Sequence, residues 1–180
     1  MARTRSGATF GDAELSELYA AHRVSLVRLA ILLVDDLASA EDVVQDAFAA
    51  MAGRRGRLDN NAAALAYLRT SVVNGSRSAL RRRRTARGYV APHEAPPDGP
   101  EGKAVLAEEH REVYEALDRL APRQREVLVL RYWSNLSEAE IAQTLAISQG
   151  TVKSTASRAL VALERAMRAT AGSSSGKEER

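Results

Sequence analysis

Within the ten residues from Gln149 to Arg158 stand Gln149, Gly150, Thr151, Lys153, Ser154, Ser157 and Arg158. On a helix, positions three and four apart fall on one side, so this stretch would present amide, hydroxyl and cationic groups together. That is chemistry suited to a DNA major groove. Gln, Thr and Ser can hydrogen-bond base edges while Lys and Arg neutralise phosphates. Gly150, at the start of the segment, lets backbone N–H groups approach a phosphate oxygen at the positive end of a helix. No acid lies between Glu140 and Glu164 to repel an anionic partner.

A second cationic group lies upstream. Between Asp59 and Glu94 there is no acidic residue, but seven arginines occur: Arg69, Arg77, Arg81, Arg82, Arg83, Arg84 and Arg87. Arg77, Arg81 and Arg84 are four and three apart and share a helical face. An arginine run alone also describes a basic tail without sequence preference. Before it the sign reverses, with Asp35, Asp36, Glu41, Asp42 and Asp46 packed into twelve residues. Faces of opposite sign on one small module imply two different partners.

Asp35, Asp36, Asp42 and Asp46 could also hold Mg²⁺, as in a metal-dependent nuclease, but they follow one helix surface instead of converging from several elements. His22, His93 and His110 are scattered, and no phosphate-cradling glycine loop or nucleophile motif occurs. The expectation is a protein that is not an enzyme, with no metal and no cofactor.

The elements that position these groups read as helices. Aromatics are only 4% of the 180 residues and helix formers dominate, so the fold class is all-α. Leu15, Leu18, Tyr19, Leu26, Leu29 and Leu33 form one stripe of a helix ending near Asp35 and Asp36. Ser39, three residues before Asp42, is a candidate N-cap for the next helix, with Val43, Val44, Ala47, Phe48 and Met51 inward. GRRGRLDNN (53 to 61) reads as a loop. A third helix buries Leu65, Leu68, Val72, Ala79 and Leu80; Gly75 inside it costs about 1 kcal/mol against alanine, which implies a close approach by a neighbour.

Four of the five prolines and three glycines then fall in residues 88–103, an exposed linker. Beyond it Leu106, Val113, Leu117 and Leu120 share a stripe, Pro122 opens another helix, and REVLVLRYW (125 to 133) reads as a central core helix. Ser137 with Glu140 makes a capping box ahead of Ile141, Ala142 and Leu145. Ser148 caps the helix that follows, which is expected to bury Val152, Ala156, Leu160 and Leu163. Two capped helices around a short turn have the spacing of a helix-turn-helix. A plain antiparallel helix pair with a solvated polar face is the simpler alternative; the caps, the turn length and the missing acids together favour DNA reading.

The domain reading is therefore an N-terminal arm (1–11), a helical domain (12–87), the linker (88–103), a helix-turn-helix domain (104–170) and a polar tail (171–180), with the arm and tail disordered. The absence of cysteine fits a reducing cytosol. The longest apolar run, residues 26 to 34, is half a membrane span and holds Arg28, so no membrane insertion is expected.

Several of these segments have a familiar form. LAPRQREVLVLRY (120 to 132), with LSEAEIAQTLAISQGTVKSTASRAL after it, resembles the promoter-reading C-terminal domain of bacterial sigma factors of the sigma-70 family. AEDVVQDAF (40 to 48) and AYLRTSVVNGSRSALRRRR (66 to 84) resemble the family's conserved second region, and the two-module layout is similar to the extracytoplasmic-function (ECF) group. The resemblance implies a cytoplasmic initiation factor, nucleoid-associated when bound to polymerase, that binds core RNA polymerase and promoter DNA and helps open the strands. Glu41, Asp42, Gln45 and Asp46 fall where such factors dock on the β′ clamp helices, and the β flap is a further polymerase contact. Asn74, Arg77 and the block from Arg81 to Arg84 fall on the helix facing the −10 element. Asp59, Asn60 and Asn61 lie in the loop that captures a flipped base. The segment 148–158 would read −35. An anti-sigma factor is a further partner the family suggests. Ala146 stands where the family usually has glycine, and a left-handed backbone there would cost about 1 kcal/mol. The rival functional reading is a stand-alone helix-turn-helix regulator, which would leave the acidic face without a use.

Overall fold

The computed structural model describes residues 11–34, 36–54, 60–89 and 111–175. The expected arm before Gly11, most of the linker, the stripe residue Leu106 and the last five residues of the tail lie outside the described residues. Among the described residues there are seven helices and no strand: α1 (Asp12–Val34), α2 (Leu37–Ala52), α3 (Asn61–Tyr89), α4 (Arg111–Asp118), α5 (Pro122–Tyr132), α6 (Glu138–Leu145) and α7 (Gln149–Ser175).

The first three helices pack on one another as a bundle. From α1 come Leu18, Leu26, Leu29 and Leu33, from α2 Val43, Val44, Ala47, Phe48 and Met51, and from α3 Leu68, Val72 and Ala79, all buried. Leu65 and Leu80 lie only partly inside. Tyr19 sits at the rim, 41% exposed, with its ring edge-on to Phe48 at 4.9 Å. Every residue from Leu29 to Val34 is buried, as a helix apolar all round must be. The reason is a second neighbour, since α1 also packs against α5.

The start of α2 differs from the sequence expectation. Asp36, not Ser39, is the N-cap: its carboxylate accepts from the Ser39 backbone N–H at 2.7 Å. An Asp in extended conformation caps as well as Ser, and Leu37 and Ala38 continue the helix back to it. At Gly75 the expected close neighbour is Val43 of α2. A Cβ built on Gly75 would stand 2.9 Å from Val43 Cγ1, so the missing side chain lets α2 and α3 approach.

In the second half α5 is central, with five consecutive buried residues from Glu126 to Leu130. Pro122 occupies its first turn. The Arg125 guanidinium ties α4 to α5 by donating to the Leu117 and Asp118 carbonyls at 3.0 and 2.7 Å, satisfying groups that a helix C-terminus leaves open. α7 buries Val152, Thr155, Ala156 and Ala159. Leu160, expected inside, is exposed, because Ala159 takes the inward position next to it. α7 also runs to Ser175, past the expected start of the tail. Extending an existing helix needs one hydrogen bond per residue and no new nucleus, so small polar residues suffice.

The two halves pack against each other. α3 packs against α6 and α1 against α5, and one apolar cluster contains core residues of both.

Two stability predictions follow from local geometry. Gly75→Ala gains about 1 kcal/mol of helix propensity, but overpacking against a buried valine costs about 1–3 kcal/mol. We expect a net loss in urea unfolding that is largely recovered when Val43→Ala is added. Ala146 has φ 52° and ψ 50°, so Ala146→Gly is expected to raise stability by about 1 kcal/mol in the same assay.

Candidate nucleic-acid interface

The helix-turn-helix is fixed by its caps. Ser137 Oγ accepts from the Glu140 N–H at 3.3 Å while the Glu140 carboxylate accepts from the Ser137 N–H at 2.9 Å, a complete capping box. These bonds hold the Glu140 carboxyl below the usual carboxylate range, with the Ser137 hydroxyl as the main cause. α6 ends at Ala146 in left-handed conformation, and its N–H returns to the Ala142 and Gln143 carbonyls. Ser148 Oγ then accepts from the Thr151 N–H at 3.1 Å and opens α7. Ala146 is thus left-handed, the condition under which its sequence position implies strain.

Because the buried row faces the core, the opposite row of α7 faces solvent. Gln149, Gly150, Thr151, Lys153, Ser154, Ser157 and Arg158 are all exposed. Thr151 Oγ1 lies 2.8 Å from Ser148 Oγ and so shares in the cap. Ser154 Oγ donates to the Thr151 carbonyl, and Arg158 Nε donates to the Ser154 carbonyl, both at 3.2 Å. The Arg158 fork is thereby held against its own helix. A Cβ added at Gly150 would meet only Ser148 Oγ, at 3.8 Å, so the N-terminus of α7 is open to an approaching group.

On α3 the basic groups separate into different roles. Arg81, Arg82 and Arg84 are exposed. Arg83 turns back instead: its guanidinium donates to the Val34 carbonyl at 3.3 Å, to the Asp36 carboxylate at 2.5 Å and to Ser39 Oγ at 2.9 Å. It braces the α1–α2 corner. Asn74 is exposed, with its Oδ1 accepting from Arg77 Nη1 at 3.1 Å. Arg77 itself reaches the other half, donating from Nε and Nη2 to the two Glu126 oxygens at 2.6 and 2.8 Å. This fork raises the Arg77 pKa. At the base of α3, Asn60 Oδ1 accepts from the Ala63 N–H at 2.9 Å in the manner of an N-cap, and Asn61 is exposed. Asp59 lies outside the described residues.

The acidic run divides in the same way. Asp36 is buried in its cap. Asp42, Gln45 and Asp46 are exposed on α2, and Glu41, partly exposed, takes a hydrogen bond from Arg23 of α1 at 3.0 Å. Asp35 lies outside the described residues. Among the described residues no three His, Cys, Asp or Glu side chains come together in a group able to hold a metal ion, and no helix is long and apolar enough to cross a membrane.

Comparison with known proteins now decides the family. The model of Sigma-70 region 2 matches residues 18–86, and that of Sigma-70, region 4 matches residues 110–163. The RNA polymerase sigma-E factor of Streptomyces coelicolor is 37% identical over 153 residues, covering 83% of this chain and 84% of that protein. The chain belongs to the sigma-70 family, in its ECF group. The ECF RNA polymerase sigma factor SigL of Mycobacterium tuberculosis is 31% identical over 159 residues, with 86% of this chain and 89% of SigL covered. Among solved structures, the sigma factor RpoE of Bartonella quintana, in complex with the anti-sigma factor NepR, superposes with a TM-score of 0.70 at 25% identity, covering 87% of this chain and 98% of that one. The fold of this sigma factor is that of its relatives, and its role is to direct transcription initiation.

Sequence reasoning missed the pairing of Glu126 with Arg77 and Arg123 and the structural use of Arg83 and Asp36. A signal existed for Glu126, since a carboxylate inside the apolar run REVLVL must find a partner if it is buried. Removing the Arg83 brace is expected to separate its role from that of its neighbours. Arg83→Ala should lower stability by roughly 1–3 kcal/mol in thermal or urea unfolding, while Arg81→Ala stays within about 0.5 kcal/mol of the parent.

Proposed function

We propose that this sigma factor reads the −35 element with the exposed row of α7 and the −10 element with α3 and the residues before it, while α2 docks on core polymerase. The observation that carries this reading is the α7 row: seven residues, all exposed, opposite a buried face. Lys153 and Arg158 serve as phosphate contacts, and Gln149, Thr151, Ser154 and Ser157 offer hydrogen bonds to base edges. Asn74, Arg81 and Arg84 are assigned to the −10 strand together with Arg77, which would have to leave Glu126 to reach it, and Asp59, Asn60 and Asn61 to the capture of an extruded base. Asp42, Gln45 and Asp46, with Glu41, present the carboxylate-rich surface that suits a basic partner on the β′ clamp helices; the second module adds the β flap contact.

On this reading the protein acts by binding and catalyses nothing itself. It works in the cytoplasm, on the nucleoid once polymerase is bound. An anti-sigma factor is a further proposed partner, as RpoE is held in complex with the anti-sigma factor NepR.

The test is run-off transcription with core polymerase, with and without the protein, followed by binding of the holoenzyme to the mapped promoter across a salt series. Lys153→Ala and Arg158→Ala are each expected to weaken binding and to flatten the plot of log affinity against log salt by roughly one unit per lost phosphate contact. An unchanged slope would remove these residues from the interface.

A further inference from the structure

Thr85 follows the arginine block directly and has no task in the reading above. It is exposed, and its Oγ1 donates to the Arg81 carbonyl at 3.1 Å. Of the four arginines before it, Arg81, Arg82 and Arg84 are exposed, while Arg83 is turned away to Val34, Asp36 and Ser39. Arg81 and Arg82 stand four and three positions back from Thr85, so on the helix their side chains share its face. No acidic residue occurs between Asp59 and Glu94, and no bond to another described residue occupies the guanidiniums of Arg81 and Arg82. The charged neighbours that α3 supplies to this hydroxyl are therefore all cations. An accessible hydroxyl preceded by arginines suits an enzyme whose substrate groove is acidic, because the charges complement one another. Access costs little. The last buried residue described on α3 is Ala79, and Thr85 lies near the helix end at Tyr89, where helices fray.

We propose that Thr85 is a phosphorylation site: a serine/threonine kinase that selects arginine before its target modifies Thr85, and the phosphate then takes Arg81 and Arg82 away from the promoter. In the transfer the bond between Thr85 Oγ1 and the γ-phosphorus of a nucleoside triphosphate forms, and the bond from that phosphorus to the β–γ bridging oxygen breaks. The hydroxyl proton passes to a base on the kinase, and the nucleoside diphosphate leaves. At neutral pH the product carries about −1.5 to −2 charges and three strong acceptor oxygens. Guanidinium groups take phosphate oxygens in paired hydrogen bonds, and Arg81 and Arg82 have no described partner to give up. Control of promoter contact rests on the functional reading above, in which exposed arginines of α3 meet promoter phosphates; modification of Thr85 does not depend on it.

The test treats the full chain with a purified kinase that phosphorylates Arg-Arg-X-Thr peptides, ATP and Mg²⁺, and locates the phosphate by mass spectrometry. Phosphate is expected on Thr85, absent from Thr85→Val, and added more slowly to Arg82→Ala. Capture is read by phosphorus NMR: the second ionisation of the phosphothreonine should lie lower than in Arg81→Ala with Arg82→Ala, because nearby cations favour the dianion. Assembled with core polymerase, the phosphorylated protein is expected to bind the mapped promoter roughly tenfold more weakly, with a salt slope shallower by about two, one for each captured arginine. Thr85→Val should bind as the parent does, which assigns the loss to the phosphate. Thr85 left unmodified by the kinase overturns the proposal. So does promoter affinity untouched by the phosphate while Arg81→Ala with Arg82→Ala lowers it. Failure of the functional reading looks different: Arg81→Ala with Arg82→Ala then binds the promoter like the parent, while Thr85 is still phosphorylated and its ionisation still shifted, and the site stands without control of the promoter.

Discussion

A helix that buries one row of side chains has no choice about what its opposite row presents, and this constraint organises the molecule. On α7 the inward row is Val152, Thr155, Ala156 and Ala159. The outward row is therefore the polar and cationic set from Gln149 to Arg158. On α2 the inward Val43, Val44, Ala47 and Phe48 leave Asp42, Gln45 and Asp46 outside. Neither polar surface needs a dedicated scaffold. Each is the complement of a buried stripe, and the free energy of burying the stripe, about 1.5–3 kcal/mol for each large apolar side chain, holds the surface in place.

Caps then fix where the helices begin. Asp36, Ser137 and Ser148 each accept a backbone N–H at the start of a helix, where amides would otherwise lack partners. Ala146 tolerates a left-handed backbone in the turn before α7. The turn keeps its shape although its residue is not the most comfortable one, because the carbonyls of α6 and the cap of α7 define the path on both sides.

α3 shows how one helix divides its charges among several tasks. Gly75 admits Val43, Arg83 braces the α1–α2 corner, Arg77 binds Glu126, and Arg81, Arg82 and Arg84 face outward. A buried carboxylate is costly unless paired and hydrogen-bonded. Glu126 meets that demand with two arginines, one from its own module and one from the other, so the electrostatics of the interface and the basic face of α3 are a single system.

The all-helical class, the Ser137–Glu140 capping box, the central core helix and the outward row of α7 were legible in the sequence, because each depends on residues close together in the chain. Periodicity and caps act within one helix or one turn. The true start of α2 at Asp36, the exposure of Leu160, the inward turn of Arg83 and the pairing of Arg77 with Glu126 were not. Arg83 and Arg84 are identical in type and adjacent, and only the position of the α1–α2 corner turns one inward and leaves the other exposed. Arg77 and Glu126 are 49 residues apart, and no local pattern couples them. Sequence by itself determined which faces are apolar and which groups could meet DNA or a basic protein; the packing of α1 and α3 against α5 and α6 decided which of those groups are spoken for, because a charge finds its partner through space and not along the chain.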